Sequence, residues 1–179
     1  MLKNGERMAA YRFSGYWKDV GTIDSLWDAN MDMLSVHSGI GLSDPEWPIY
    51  ARTPTKPPHF TGPNADIRHS LVTGGCEVDG EVENSVLFHS VKVEKGAKVH
   101  YSIVMPGAVV KEGAQVEYTI VAENAVIGAG ARVGAAPSEM EDAGDWGIAV
   151  VAEGIKVGDH AIVPAKAMVT RNVKGGAAK

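Results

Sequence analysis

Asp19 is the residue most suited to chemistry by type and setting. It follows Trp17 and Lys18 and stands just before Gly21-Thr22. A carboxylate on a short segment suits a divalent cation that seeks oxygen ligands. It equally suits a turn that finishes before a helix, and the residues alone leave both readings open. Arg52 and Lys56 lie in a proline-rich stretch. Two cations on stiff chain suit a phosphate, and equally a solvated surface. Gly128-Ala-Gly-Ala-Arg-Val-Gly134 misses the dinucleotide fingerprint by one residue. The histidines are His37, His59, His69, His89, His100 and His160. His89 and His100 match no simple repeat and no ligand spacing joins the others, so all six are expected to be exposed or in loops.

Three stretches of chain must position these groups. In residues 1–35, Tyr11, Phe13, Tyr16 and Trp17 crowd an extended run that Gly21-Thr22 breaks. Thr22 is a fair N-cap, and Asp24 suits the first turn, where free N–H groups favour negative charge. Ile23, Leu26, Trp27, Met31 and Leu34 follow near helical spacing. The spacing predicts a helix of about three turns, whose exposed apolar face favours self-association. Residues 36–64 hold Pro45, Pro48, Pro54, Pro57, Pro58 and Pro63. Proline fixes φ and removes a donor, so an extended strap is expected.

Residues 65–179 repeat. Val93-Glu-Lys-Gly-Ala-Lys-Val99, Val110-Lys-Glu-Gly-Ala-Gln-Val116 and Ile127-Gly-Ala-Gly-Ala-Arg-Val133 begin 17 residues apart. Tyr101-Ser-Ile-Val104 and Tyr118-Thr-Ile-Val121 fall between them, and Asn84-Ser-Val-Leu87 takes the same slot one period earlier. A six-residue aliphatic step with Gly and Ala at the corners suits short parallel strands joined by tight turns, three to a coil. Val93, Val99, Val110, Val116, Ile127 and Val133 should line one buried column. Bulky side chains are not expected at the corners. Gly128 to Gly134 sits in this register and reads as a coil corner. Cys76 stands 17 residues before Val93 and is expected in the same column. Residues 135–150 break the period with Pro137, Glu139, Glu141, Asp142, Asp145 and Trp146. They read as an acidic loop whose tryptophan packs on something.

Composition narrows the function classes. The chain has 179 residues, 17 Lys plus Arg and 22 Asp plus Glu, for a net charge of −5. A nucleic-acid module would want a basic face. No run of about 18 apolar residues offers a membrane span, and no signal peptide opens the chain. One cysteine excludes an intrachain disulfide and a cysteine zinc cluster. A reducing cytoplasm is the simplest compartment.

The hexad pattern resembles that of left-handed parallel β-helices. Gly15-Tyr-Trp-Lys-Asp-Val-Gly-Thr22 and Ile23-Asp-Ser-Leu-Trp-Asp-Ala-Asn-Met-Asp32 closely resemble the end of the catalytic domain in the ADP-glucose pyrophosphorylase (glucose-1-phosphate adenylyltransferase) family. The likeness runs through Trp47-Pro-Ile-Tyr50, Thr55-Lys-Pro-Pro58, Ser85-Val-Leu-Phe88 and Ser102-Ile-Val-Met-Pro-Gly107, to about residue 134. The tail after Pro137 is less distinctive.

The resemblance implies a mainly β chain: residues 65–179 a left-handed β-helix, residues 36–64 a linker, and residues 1–35 a short α/β remnant of a nucleotidyltransferase domain. It implies a parent enzyme that makes ADP-glucose and pyrophosphate from ATP and glucose 1-phosphate with Mg²⁺, toward glycogen. Trp17 would lie beside the sugar, and Asp19 would help hold the metal with a second aspartate from earlier in the domain. Arg52 and Lys56 would meet an anionic sugar-phosphate effector. The family's nucleotide loop, catalytic arginine and glucose-phosphate lysine would lie upstream of these residues. A homo-oligomer is expected. The alternatives are a hexapeptide-repeat acyltransferase using CoA, and a non-catalytic β-helix scaffold; the Trp17 to Thr22 segment has no place in the acyltransferase.

Overall fold

The computed structural model describes residues 2–35, 39, 44–51, 54–140, 144 and 146–176. Three six-stranded parallel sheets wind together into a triangular solenoid. The first sheet stacks β1 (Phe60–Thr61), β4 (Glu77–Val78), β7 (Lys92–Val93), β10 (Val109–Val110), β13 (Val126–Ile127) and β16 (Lys156–Val157). The second stacks β2 (Asp66–Arg68), β5 (Glu81–Glu83), β8 (Lys98–His100), β11 (Gln115–Glu117), β14 (Arg132–Val133) and β17 (Ile162–Val163). The third stacks β3 (Leu71–Val72), β6 (Val86–Leu87), β9 (Ile103–Val104), β12 (Thr119–Val121), β15 (Ala149–Val151) and β18 (Met168–Val169).

The predicted aliphatic column is the core. Val93, Val99, Val110, Val116, Ile127 and Val133 are all buried. Gly96, Gly113 and Gly130 turn one corner at φ of +69°, +66° and +61°, a region that glycine enters without a Cβ clash. Gly130 therefore belongs to a coil corner, as its register predicts.

A second corner departs from expectation. His69, Asn84, Tyr101 and Tyr118 turn it at φ of 43°, 46°, 47° and 45°. Bulky residues do sit at a corner here, because each side chain points away from the coil and the next residue supplies compensation. That next residue is Ser70, Ser85, Ser102 or Thr119. Each hydroxyl donates to the carbonyl two residues back, at 2.7–2.8 Å. The hydroxyls of Ser70, Ser85 and Ser102 also accept the backbone N–H of Ser85, Ser102 and Thr119, at 3.0–3.1 Å. This ladder satisfies polar groups that would otherwise be buried without partners.

Cys76 is buried, as expected, but in another column. Val78, not Cys76, pairs with Val93. The carbonyls of Cys76, Val91, Ala108 and Ala125 accept from equivalent strand residues, so Cys76 takes a corner position. The reason is a short second coil. Ile67 pairs with Val82 only 15 residues on, whereas Val82 pairs with Val99 after 17. The missing pair would lie at the Asp79–Gly80 corner, where a Cβ on Gly80 would stand 2.5 Å from the Ala97 carbonyl oxygen.

The helix α1 (Ile23–Asp32) carries the predicted cap, with the Thr22 and Ser25 side chains reciprocally bonding backbone N–H groups. Its apolar face is not free. Leu26, Trp27 and Met31 pack with Ile103 and Ile120 of the third sheet and with Ile148 just before β15, together with Phe88, Met105, Tyr118 and Trp146. The outward aliphatics of that sheet are the cause, since they need cover as much as the helix does. An exposed helix as a driver of self-association is thereby removed. Within residues 135–150, Glu141, Asp142 and Asp145 lie outside the described residues. Trp146 packs edge-on against Tyr118 at 5.4 Å and donates to the Ala135 carbonyl at 2.9 Å.

Candidate functional site

Tyr16 to Asp19 run alongside α1 and are pinned by ions. Lys18 Nζ lies 2.9 Å from Asp32 and 3.6 Å from Asp28, and the Tyr16 hydroxyl donates to Asp32 at 3.0 Å. The Lys18 hydrogen bond holds the Asp32 carboxyl below its ordinary value, and Asp32 in turn raises the Lys18 ammonium. This clamp sends Trp17 and Asp19 outward. Trp17 is 77% exposed. Asp19 is exposed, and its Oδ1 accepts the Gly21 N–H at 3.1 Å. That bond closes the turn before the helix and leaves the second oxygen open to solvent.

Asp19 fits a divalent ion as one ligand among several. A divalent ion such as Mg²⁺ takes about six oxygens in near-octahedral array, and the free Asp19 oxygen can be only one of them. The remaining ligands would be phosphates, waters and a carboxylate from elsewhere.

Lys56 is exposed and lines a cavity of about 460 Å³ with Pro54, Thr55, Thr73, Gly74, Phe88 and His89. The strap is held there by the Gly75 N–H, which donates to the Pro57 carbonyl at 2.7 Å. Arg52 lies outside the described residues, as does His37. Nothing in the contacts joins Lys56 to Trp17 or Asp19.

The second sheet carries a charged outer face that spacing between histidines does not reveal. Arg68 Nη2 contacts Glu81 at 2.6 Å and Glu83 at 2.9 Å, and its Nη1 contacts Asp66 at 2.9 Å. Lys98 lies 3.5 Å from Glu81. His100 stands 3.4 Å from Glu81 through Nε2 and 3.6 Å from Glu117 through Nδ1, and is only 20% exposed. His59, His69 and His160 are exposed as expected, so His100 is the departure. Glu83, His100 and Glu117 pair in register 17 residues apart, and that spacing was there to be read.

The chain matches the GlmU-like, C-terminal hexapeptide family over residues 57–157 and the nucleotidyl transferase family over residues 1–36. Hexapeptide repeats of this kind accord with a left-handed β-helix. Among curated relatives, it is 54% identical over 99 residues to a glucose-1-phosphate adenylyltransferase of Clostridium perfringens (strain SM101 / Type A). It is 52% identical over 99 residues to one of Clostridium beijerinckii, and 48% to one of Bacillus cytotoxicus. Each match covers 55% of this chain and 26% of the relative. The chain thus spans about a quarter of the length of the relatives it matches. No helix among the described residues is long and apolar enough to cross a membrane.

Proposed function

The chain belongs to the GlmU-like C-terminal hexapeptide family, and from that premise we propose that it is the C-terminal portion of a glucose-1-phosphate adenylyltransferase. Residues 1–35 complete the nucleotidyltransferase domain, residues 36–64 link, with Phe60–Thr61 of that stretch already paired into the first coil, and residues 65–179 carry the rest of the assembly and regulatory β-helix. The carrying observation is the order of the two family matches on one chain, nucleotidyl transferase first and hexapeptide second. The parent would act in the cytoplasm, making ADP-glucose and pyrophosphate from ATP and glucose 1-phosphate with Mg²⁺, for glycogen synthesis.

This chain's own residues then have limited parts. Asp19 offers one oxygen to the metal, which when bound neutralises charge on the transferring phosphoryl group. Trp17 presents an exposed ring to the sugar. Lys56, with Arg52 beside it in sequence, attracts an anionic sugar-phosphate effector to the strap. The β-helix packs subunits into a homo-oligomer.

Nucleotidyl transfer needs positioned phosphates and several charges acting together. The 179-residue chain should therefore release no pyrophosphate from ATP and glucose 1-phosphate with Mg²⁺. Joined to the rest of a nucleotidyltransferase domain it should be active, and Asp19→Asn should then strongly lower turnover. Pyrophosphate from the short chain above a heat-killed control would mean the active site is misplaced. Full activity of Asp19→Asn in the long form would leave Asp19 as a turn residue only. CoA binding would favour the acyltransferase instead.

A further inference from the structure

We propose that Glu81, Glu83 and His100 form a transition-metal site on the outer face of the second sheet. Each offers one ligand atom, and these atoms all lie within 4.8 Å of one another. They come from β5 and β8, neighbouring strands held in register by Glu83 opposite His100, so the backbone positions are rigid. His100 Nε2 is buried and has no hydrogen-bond partner. It stands 3.4 Å from Glu81 Oε1. Two donors bound to one tetrahedral ion at 2.0–2.2 Å lie roughly 3.3–3.6 Å apart, so this pair is already spaced for a shared metal.

The other ring nitrogen supports the same reading. His100 Nδ1 faces Glu117 Oε1 at 3.6 Å, from the strand on the opposite side of β8. A carboxylate behind a ligating histidine fixes the ring and raises its basicity. One imidazole with two carboxylates suits Zn²⁺ or Co²⁺ better than Mg²⁺, which prefers oxygen throughout. Two cations compete for the carboxylates: Lys98, 3.5 Å from Glu81, and Arg68, the closer. Its guanidinium touches both Glu81 and Glu83 but is half exposed and also paired to Asp66, so it can retire to Asp66 when a dication arrives. The site is far in sequence from Asp19 and owes nothing to nucleotidyl transfer.

The test uses the purified 179-residue chain, dialysed against Zn²⁺ and, separately, Co²⁺, with metal counted per chain. The expected result is one ion per chain and a visible Co²⁺ absorption band. His100→Gln and Glu83→Gln should each weaken Zn²⁺ binding about tenfold or more, whereas His69→Gln should not. Circular dichroism shows whether each variant is folded. Arg68→Ala separates a metal site from a plain ion-pair network, since removing the closer competitor should tighten Zn²⁺ binding. Less than equimolar metal in the parent chain, equal affinity in folded His100→Gln, or weaker binding in folded Arg68→Ala would each overturn the proposal.

Discussion

Trp27 Nε1 donates to the Tyr101 carbonyl oxygen at 2.7 Å, across 74 residues of sequence. The same indole lies 5.8 Å from the Tyr118 ring, which stacks on Tyr101 at 4.7 Å. One side chain therefore ties α1 to two successive coils. Trp27→Phe keeps the ring contact but removes the donor. It should cost about 1 kcal/mol and speed amide exchange along α1 before it lowers the melting point of the solenoid. Unchanged exchange in α1 would show that packing alone holds the helix.

Val116 and Gln115 are neighbours on β11 that face opposite ways, Val116 buried and Gln115 outward. Val116→Asp puts a carboxyl group in the dry column, where it must be buried charged or take up a proton, and should cost several kcal/mol. Gln115→Asp should stay within about 0.5 kcal/mol of the parent. Urea melts of the two variants settle the register; equal midpoints would refute it.

Ser102 is fully buried and serves the ladder twice, donating to His100 O and accepting from Thr119 N–H. Ser102→Ala strands both partners and should cost about 1–3 kcal/mol. Ser102→Thr should be far milder, because Thr119 holds the same position one coil on. Thermal unfolding of the pair checks this, and equal melting of Ser102→Ala and the parent would break the argument.

Cys76 should label slowly with a thiol reagent in the native chain and rapidly in urea. Burial raises its thiol above the ordinary 9.0. The folded chain then holds this proton more tightly than the unfolded chain. The contribution is fully present below pH 9 and is lost as pH rises through the folded value. Asp32 acts at the other end. Its carboxyl is lowered from 3.8 by Lys18, so its contribution is present above that value and lost as pH falls through the folded one. Circular dichroism against pH should show the solenoid core losing stability in alkali and the Tyr16–Lys18 clamp loosening in acid.

The core was legible because Val, Gly and Ala recur in fixed columns, and burial follows directly from column. The N-cap at Thr22 was legible for the same reason: a local rule that needs no tertiary information. Three things were not. The short second coil hides because its lost residues fall at a corner, where no aliphatic marks the place. The docking of α1 depends on Ile103 and Ile120, outward-facing apolar residues on strands whose other face is also apolar, so no alternation announces them. His100 was missed because its partners are glutamates from adjoining coils rather than other histidines. The roles given to Trp17, Asp19 and Lys56 rest on resemblance, and the exposure of all three explains why spacing alone says so little of them.

The two irregular coils show how the solenoid keeps its phase. Arg132 pairs with Ile162, 30 residues on, yet Val133 and Val163 still face inward. The coil shortened at Gly80 likewise returns Val82 to the inside. Each strand takes its orientation from the rung beneath it, through hydrogen bonds, and not from a count of the residues before it. Errors of length at a corner are thus absorbed locally and never propagate down the stack. A residue added or lost at one corner should accordingly leave the rungs beyond it in register.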